Sequence, residues 1–131
     1  MRDVADFVLV YIEEAHAIDE WPISSARYNT GHGVVAVKQP TTMAEREAAA
    51  KAMKHNLGCE LPVALDGMDN EFSKQFSPWP FRFFVLHAGL VMFKAMPKDC
   101  TYDLGDVRDC LERFRARESD AAPAPPSSTA A

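Results

Sequence analysis

Phe7-Val8-Leu9-Val10-Tyr11-Ile12 is an unbroken run of apolar residues, most of them β-branched or aromatic. Such a run fits a strand covered on both faces, as in parallel sheets flanked by helices, because a half-exposed strand would alternate apolar and polar residues. The run ends in Glu13-Glu14-Ala15-His16. Polar groups therefore gather at the carboxyl end of the strand, which is where open α/β sheets bind ligands.

Downstream, Trp21-Pro22, Asn29, Gly31 and Gly33 mark a loop, with Val34 to Val37 as a short strand within it. Thr42-Met43-Ala44-Glu45 fits a capping box and predicts a helix running to Asn56, with Met43, Ala50, Met53 and Leu57 on its apolar face and Gly58 as its stop. Pro62 to Leu65 reads as a short buried strand, and Asn70 to Phe76 as two helical turns with Phe72 and Phe76 on one side. Ser77-Pro78-Trp79-Pro80 breaks that helix. Phe81 to His87 and Leu90 to Lys94 form a hairpin turning at Ala88-Gly89, and Asp103 caps a last helix that carries Leu104, Val107, Leu111 and Phe114. Long crossovers require parallel pairing and the hairpin requires antiparallel pairing, so the expected class is α/β with a mixed sheet. The domain spans residues 1–118. The Ala-, Pro- and Ser-rich stretch 119–131 reads as a disordered tail.

Composition narrows the function classes. With 131 residues, 47% hydrophobic, the chain suits one domain with a core. A net charge of −5 argues against nucleic acid as a partner, since phosphate binding needs a basic face. No stretch approaches the ~20 apolar residues of a membrane span, and the start of the chain, with Arg2, Asp3 and Asp6, does not read as a signal peptide. The expected compartment is the cytoplasm. Cys59, Cys100 and Cys110 are too widely spaced for a zinc ribbon or a dithiol motif and read as free thiols.

Glu14 and His16 are the strongest candidates for acid–base chemistry. Imidazole titrates near neutrality, a carboxylate can set its tautomer, and alternation puts the two on one side as long as the strand persists. The other reading is a solvated strand end in which His16 only hydrogen-bonds its loop, and it stays open. A metal site from Glu13, Glu14 and His16 lacks a second cluster of ligands, so no metal is expected.

The stretch Tyr11-Ile12-Glu13-Glu14-Ala15-His16-Ala17-Ile18-Asp19-Glu20-Trp21 resembles the Y-I-E-E-A-H-x-x-D-G-W signature of the iodothyronine deiodinases. The segment from Gln39 to Ala50, Leu65-Asp66-Gly67-Met68 and Arg82-Phe83-Phe84-Val85-Leu86 are similar to later family segments in the same order, so the resemblance covers about Asp3 to Arg115. Glu20 and Pro40 depart from it, standing where the animal enzymes carry Gly and His.

This resemblance implies a thioredoxin-like sandwich with a peroxiredoxin-like insertion, here without the first strand and helix, and a thyroxine deiodinase-type oxidoreductase of a selenoprotein family. The implied partners are a small iodinated aromatic substrate and an external thiol reductant, with no bound cofactor and a homodimer as an open option. Carried over, Glu14 and His16 take the family's catalytic positions, Arg82 the position proposed to hold the substrate carboxylate, and Trp21 the motif tryptophan. Trp21 reads equally as a loop anchor. Cys59 lies two residues from a candidate resolving cysteine, and a structural role stays open beside that one. None of the three cysteines maps to the nucleophile, so the chain is expected to be a truncated product, inactive alone, with a split sheet or a rearranged contact in place of the first strand. Pro80 stands where thioredoxin-type folds carry a cis-proline. A thiol oxidoreductase or peroxidase, or a non-catalytic binding domain of the same fold, are the alternatives.

Overall fold

Only the centre of the run Phe7–Ile12 becomes strand: β1 spans Leu9–Tyr11. In the computed structural model, residues 1–22, 37–99 and 101–121 are described. The chain divides into two units, Phe7–Phe81 and Met1–Asp6 with Arg82–Ala131.

In the Phe7–Phe81 unit, β1 pairs in parallel with β2 (Val63–Leu65), with Leu9 opposite Val63 and Tyr11 opposite Leu65. The crossover between them contains helix α1 (Met43–Asn56), as parallel pairing requires. Its capping box is complete. The Thr42 hydroxyl accepts the Glu45 N–H at 3.2 Å, and the Glu45 carboxylate accepts the N–H groups of Thr42 and Thr41. The helix ends at Gly58, whose φ of +57° suits a residue without Cβ. Helix α2 (Glu71–Phe76) stacks Phe72 on Phe76 at 4.5 Å, the expected one-turn pair.

The buried face of α1 differs from expectation. Met43 and Leu57 are exposed, and Arg46 and Ala50 are buried. Arg46, 1% exposed, directs its Nη1 at the carbonyls of Asp66 and Gly67 and at Asn70 Oδ1. Three acceptors from the loop after β2 replace the solvent that an arginine otherwise needs. Asp66, also buried, accepts the Phe72 and Ser73 N–H groups and the Ser73 hydroxyl, and so caps the start of α2. β1 and β2 are also less covered than their composition predicts. Phe7, Val8 and Ala64 are exposed, and among the described residues each of these strands pairs with one neighbour.

In the second unit, β3 (Phe84–His87) and β4 (Leu90–Lys94) form an antiparallel hairpin. Ala88 and Gly89 both have positive φ, +49° and +77°, as a two-residue hairpin turn demands. Helix α3 (Leu104–Ala121) begins at Asp103, whose Oδ1 accepts the Gly105 N–H at 2.7 Å. It buries Cys110 and Leu111 and sets Phe114 against the His87 ring at 5.3 Å. The Arg115 guanidinium pairs with Asp3. The helix runs three residues into the stretch assigned to a tail.

The α/β class therefore holds, while the single mixed sheet does not. The described residues form two two-stranded sheets, one parallel and one antiparallel. Apolar side chains such as Val8 beside β1, Leu86 in β3 and Leu90 at the start of β4 are exposed. The peptide before Pro80 is cis, as expected for this position. Val34 to Ala36, Cys100 and residues 122–131 lie outside the described residues, and with them the short strand and most of the tail. Among the described residues no helix is long and apolar enough to cross a membrane.

Candidate functional site

The Tyr11–Trp21 stretch leaves strand geometry at Ile12, so Glu14 and His16 sit in irregular chain. Alternation along a strand therefore does not place them. Glu14 is fixed instead by hydrogen bonds to Gln39, a residue that composition and periodicity do not single out. The Glu14 N–H donates to Gln39 Oε1 at 3.0 Å, and Gln39 Nε2 donates back to the Glu14 carbonyl at 3.0 Å. The Gln39 amide nitrogen also donates to Glu20 Oε2, and its backbone N–H to Asp19 Oδ1. Ile18 N–H meets the Val37 carbonyl at 2.9 Å. One side chain thus imitates a strand pairing on both backbone groups of Glu14. Glu20 serves as one of its acceptors.

The Glu14 carboxyl is half-buried, and burial raises its pKa above the ordinary value. Removing water from a carboxylate disfavours its charge, so the group tends toward the protonated form that can donate. Glu13 is tied into the structural network, receiving the Asn70 side-chain amide at 3.3 Å. Through Asn70 and Arg46 that network joins the start of the candidate stretch to α1.

His16 is half-buried, and its Nδ1 lies 3.1 Å from the Trp21 carbonyl. A carbonyl only accepts, so this contact assigns the proton to Nδ1 and leaves Nε2 as the acceptor of the neutral ring. His16 therefore does hydrogen-bond its own loop, and the bond leaves a defined basic nitrogen. Around it stand two indoles. Trp21 lies 5.1 Å and Trp79 6.3 Å from the imidazole, centroid to centroid, and the two indoles are parallel within 6° at 6.1 Å. Trp79 is the member of this cluster that sequence reading treated only as part of a helix breaker; its aromatic bulk beside an exposed turn was the available signal.

Arg82 belongs to the other unit, at the approach to β3. It is half-buried, and its Nη1 donates to the Met96 sulfur at 3.0 Å. Cys59 is half-buried beyond α1 and its thiol is free, as is that of the buried Cys110. Among the described residues no group of three His, Cys, Asp or Glu side chains is placed to hold a metal ion.

The chain is similar to known proteins over nearly its whole described length. The family model described as iodothyronine deiodinase matches residues 1–115. Among curated relatives, the type I iodothyronine deiodinase of Xenopus laevis is 34% identical over 113 residues, covering 86% of this chain and 41% of the relative. The thyroxine 5-deiodinase of Gallus gallus is 31% identical over 115 residues, covering 88% and 42%. That of Bos taurus is 29% identical over 113 residues, covering 86% and 35%. The chain thus spans about two-fifths or less of the length of these relatives. With the match extending from Met1 to Arg115, the chain belongs to the iodothyronine deiodinase family.

Proposed function

We propose that this chain supplies the substrate-binding and proton-handling part of a thiol-dependent oxidoreductase that removes iodine reductively from an aromatic ring such as that of thyroxine. The observation that carries the reading is the His16 ring, held by the Trp21 carbonyl so that Nε2 is available to a phenol, two residues from a carboxyl that burial holds toward its protonated form. The names of the relatives support the substrate class.

In this reading a soft chalcogenolate attacks iodine and forms a chalcogen–iodine bond. The electron pair of the carbon–iodine bond goes to the ring carbon, which takes a proton. One thiol then displaces iodide from the chalcogen, and a second releases the mixed product as a disulfide. The net change is two thiols oxidised and one carbon–iodine bond reduced to carbon–hydrogen. His16 Nε2 accepts the phenol hydroxyl and Glu14 supplies the ring proton. Cys59 is assigned to the resolving step. The nucleophile, a selenocysteine or cysteine, is assigned to a segment preceding β1, within a thioredoxin-like architecture that the order of parallel crossover, hairpin and final helix supports.

The test is iodide release from labelled thyroxine with dithiothreitol, using the chain extended upstream in its genomic frame to include a Cys or selenocysteine codon. Release that falls about 100-fold or more in His16→Ala, and clearly in Glu14→Gln, is the expected result. No iodide release by the extended chain sinks the activity. Release that is indifferent to both substitutions sinks the site.

A further inference from the structure

We infer that Trp79, together with Trp21, forms a stacking platform that receives the flat face of a phenol whose hydroxyl meets His16 Nε2. The inference rests on the proposed function for the identity of the phenol and deepens it by naming a further binding residue.

Three observations carry it. The two indoles are stacked, parallel within 6° at a centroid separation of 6.1 Å, within the range of offset pairs, so their π faces share one orientation. Both are open to solvent, Trp79 at 42% and Trp21 at 63%. The imidazole is tilted against both, by 52° and 50°, and its Nδ1 is already committed to the Trp21 carbonyl. A platform of two π faces with a single nitrogen acceptor at its rim selects a planar ring bearing one hydroxyl donor. Three rings are also far too small a surface for a protein partner, which needs about 800 Å² on each side. A small aromatic molecule is the occupant that matches the patch in size, shape and polarity.

The chain's two tryptophans are the two members of this pair, so intrinsic tryptophan fluorescence reads the site directly. The probes are diiodotyrosine, whose iodine atoms quench indole emission on contact, the plain phenol para-hydroxyphenylacetate, and its saturated cyclohexanol analogue. The 131-residue chain is expected to give saturable quenching with diiodotyrosine and no saturable change with the cyclohexanol. In Trp79→Leu, where Trp21 still reports, the Kd is expected to rise roughly threefold to tenfold, while Trp79→Phe stays within about threefold of the parent. Absence of saturable quenching, or a Kd equal in Trp79→Leu and the parent, overturns the platform, whatever the iodide assay shows. Equal binding of the plain and iodinated phenols, both weakened by Trp79→Leu, supports the platform and counts against deiodination as its purpose.

Discussion

Gln39 holds Glu14 by both backbone polar groups, accepting from its N–H and donating to its carbonyl, each at 3.0 Å. The two residues are 25 positions apart, so this side chain fixes where the candidate acid leaves β1. Gln39→Leu leaves a part-buried donor and acceptor without partners and is expected to cost about 1–3 kcal/mol, read as a lower urea midpoint at unchanged slope. Gln39→Glu keeps the acceptor but sets a carboxylate against the Glu14 carbonyl and the Glu20 carboxylate, so its loss should be at least as large. Equal stability of parent and Gln39→Leu would show that the clamp is not needed.

Arg46 should be among the most sensitive positions in the chain. Replacement by Met keeps much of the apolar volume and abandons the Asp66 and Gly67 carbonyls and Asn70 Oδ1. The expected cost is about 3 kcal/mol, a large share of the ~5–15 kcal/mol that stabilises a domain. Arg46→Lys should recover only part, because an ammonium on a different stem does not reach the place of Nη1 and leaves the rest of the guanidinium volume unfilled. Urea unfolding of the three proteins decides it.

Glu14 gives a pH dependence of one sign. Its folded pKa is raised by burial above 4.5, so the folded state binds the extra proton and the group's favourable contribution is full below 4.5. That contribution is lost as pH rises through the folded value. Glu14→Gln should therefore gain stability relative to the parent as pH increases across that window. A stability difference that is flat with pH contradicts the assignment.

Asp66 gives the opposite sign. Burial works to raise its carboxyl, yet the Phe72 and Ser73 donors and the Arg46 charge together hold it below 3.8. Its contribution is present above 3.8 and lost as pH falls through the lower folded value. Asp66→Asn should flatten the acid limb of the stability curve while lowering stability near neutrality. An acid limb identical to the parent's would exclude Asp66 as its source.

What was legible in the sequence was what local chemistry encodes. The Thr42 capping box, the Gly58 stop, the Phe72–Phe76 pair and the Ala88-Gly89 turn depend on residues a few positions apart, and all appear as expected. The misses share a cause in longer-range partners. Arg46 in an Ala- and Glu-rich helix reads as surface, and only acceptors 20 or more positions away explain its burial. The apolar run at Phe7 predicts two covered faces, but coverage depends on what packs against the strand, and among the described residues β1 pairs with β2 alone. Glu14 and His16 were found by residue type and motif, while the alternation used to align them ended at Tyr11. Gln39 and Trp79 needed the tertiary fold, since neither hydrogen-bond partners nor a stacked indole can be read along the chain.

The two sheets differ in how much chain each must gather before it can form. The hairpin joins His87 to Leu90, three residues on, whereas β1 reaches across 54 positions from Leu9 to Val63. Closing the longer loop costs about 2–3 kcal/mol more of chain entropy by the logarithmic rule. Helix α1 offsets part of this, because its 14 residues span about 21 Å when helical and about 46 Å when extended. The hairpin can therefore form on its own account within microseconds, while the parallel pair that carries Glu14 and His16 at its exit waits for the crossover to shorten. Assembly of the candidate site is thus tied to the helix whose buried Arg46 reaches the loop after β2, and a change that weakens α1 should slow the appearance of the site while leaving the hairpin's own rate unchanged.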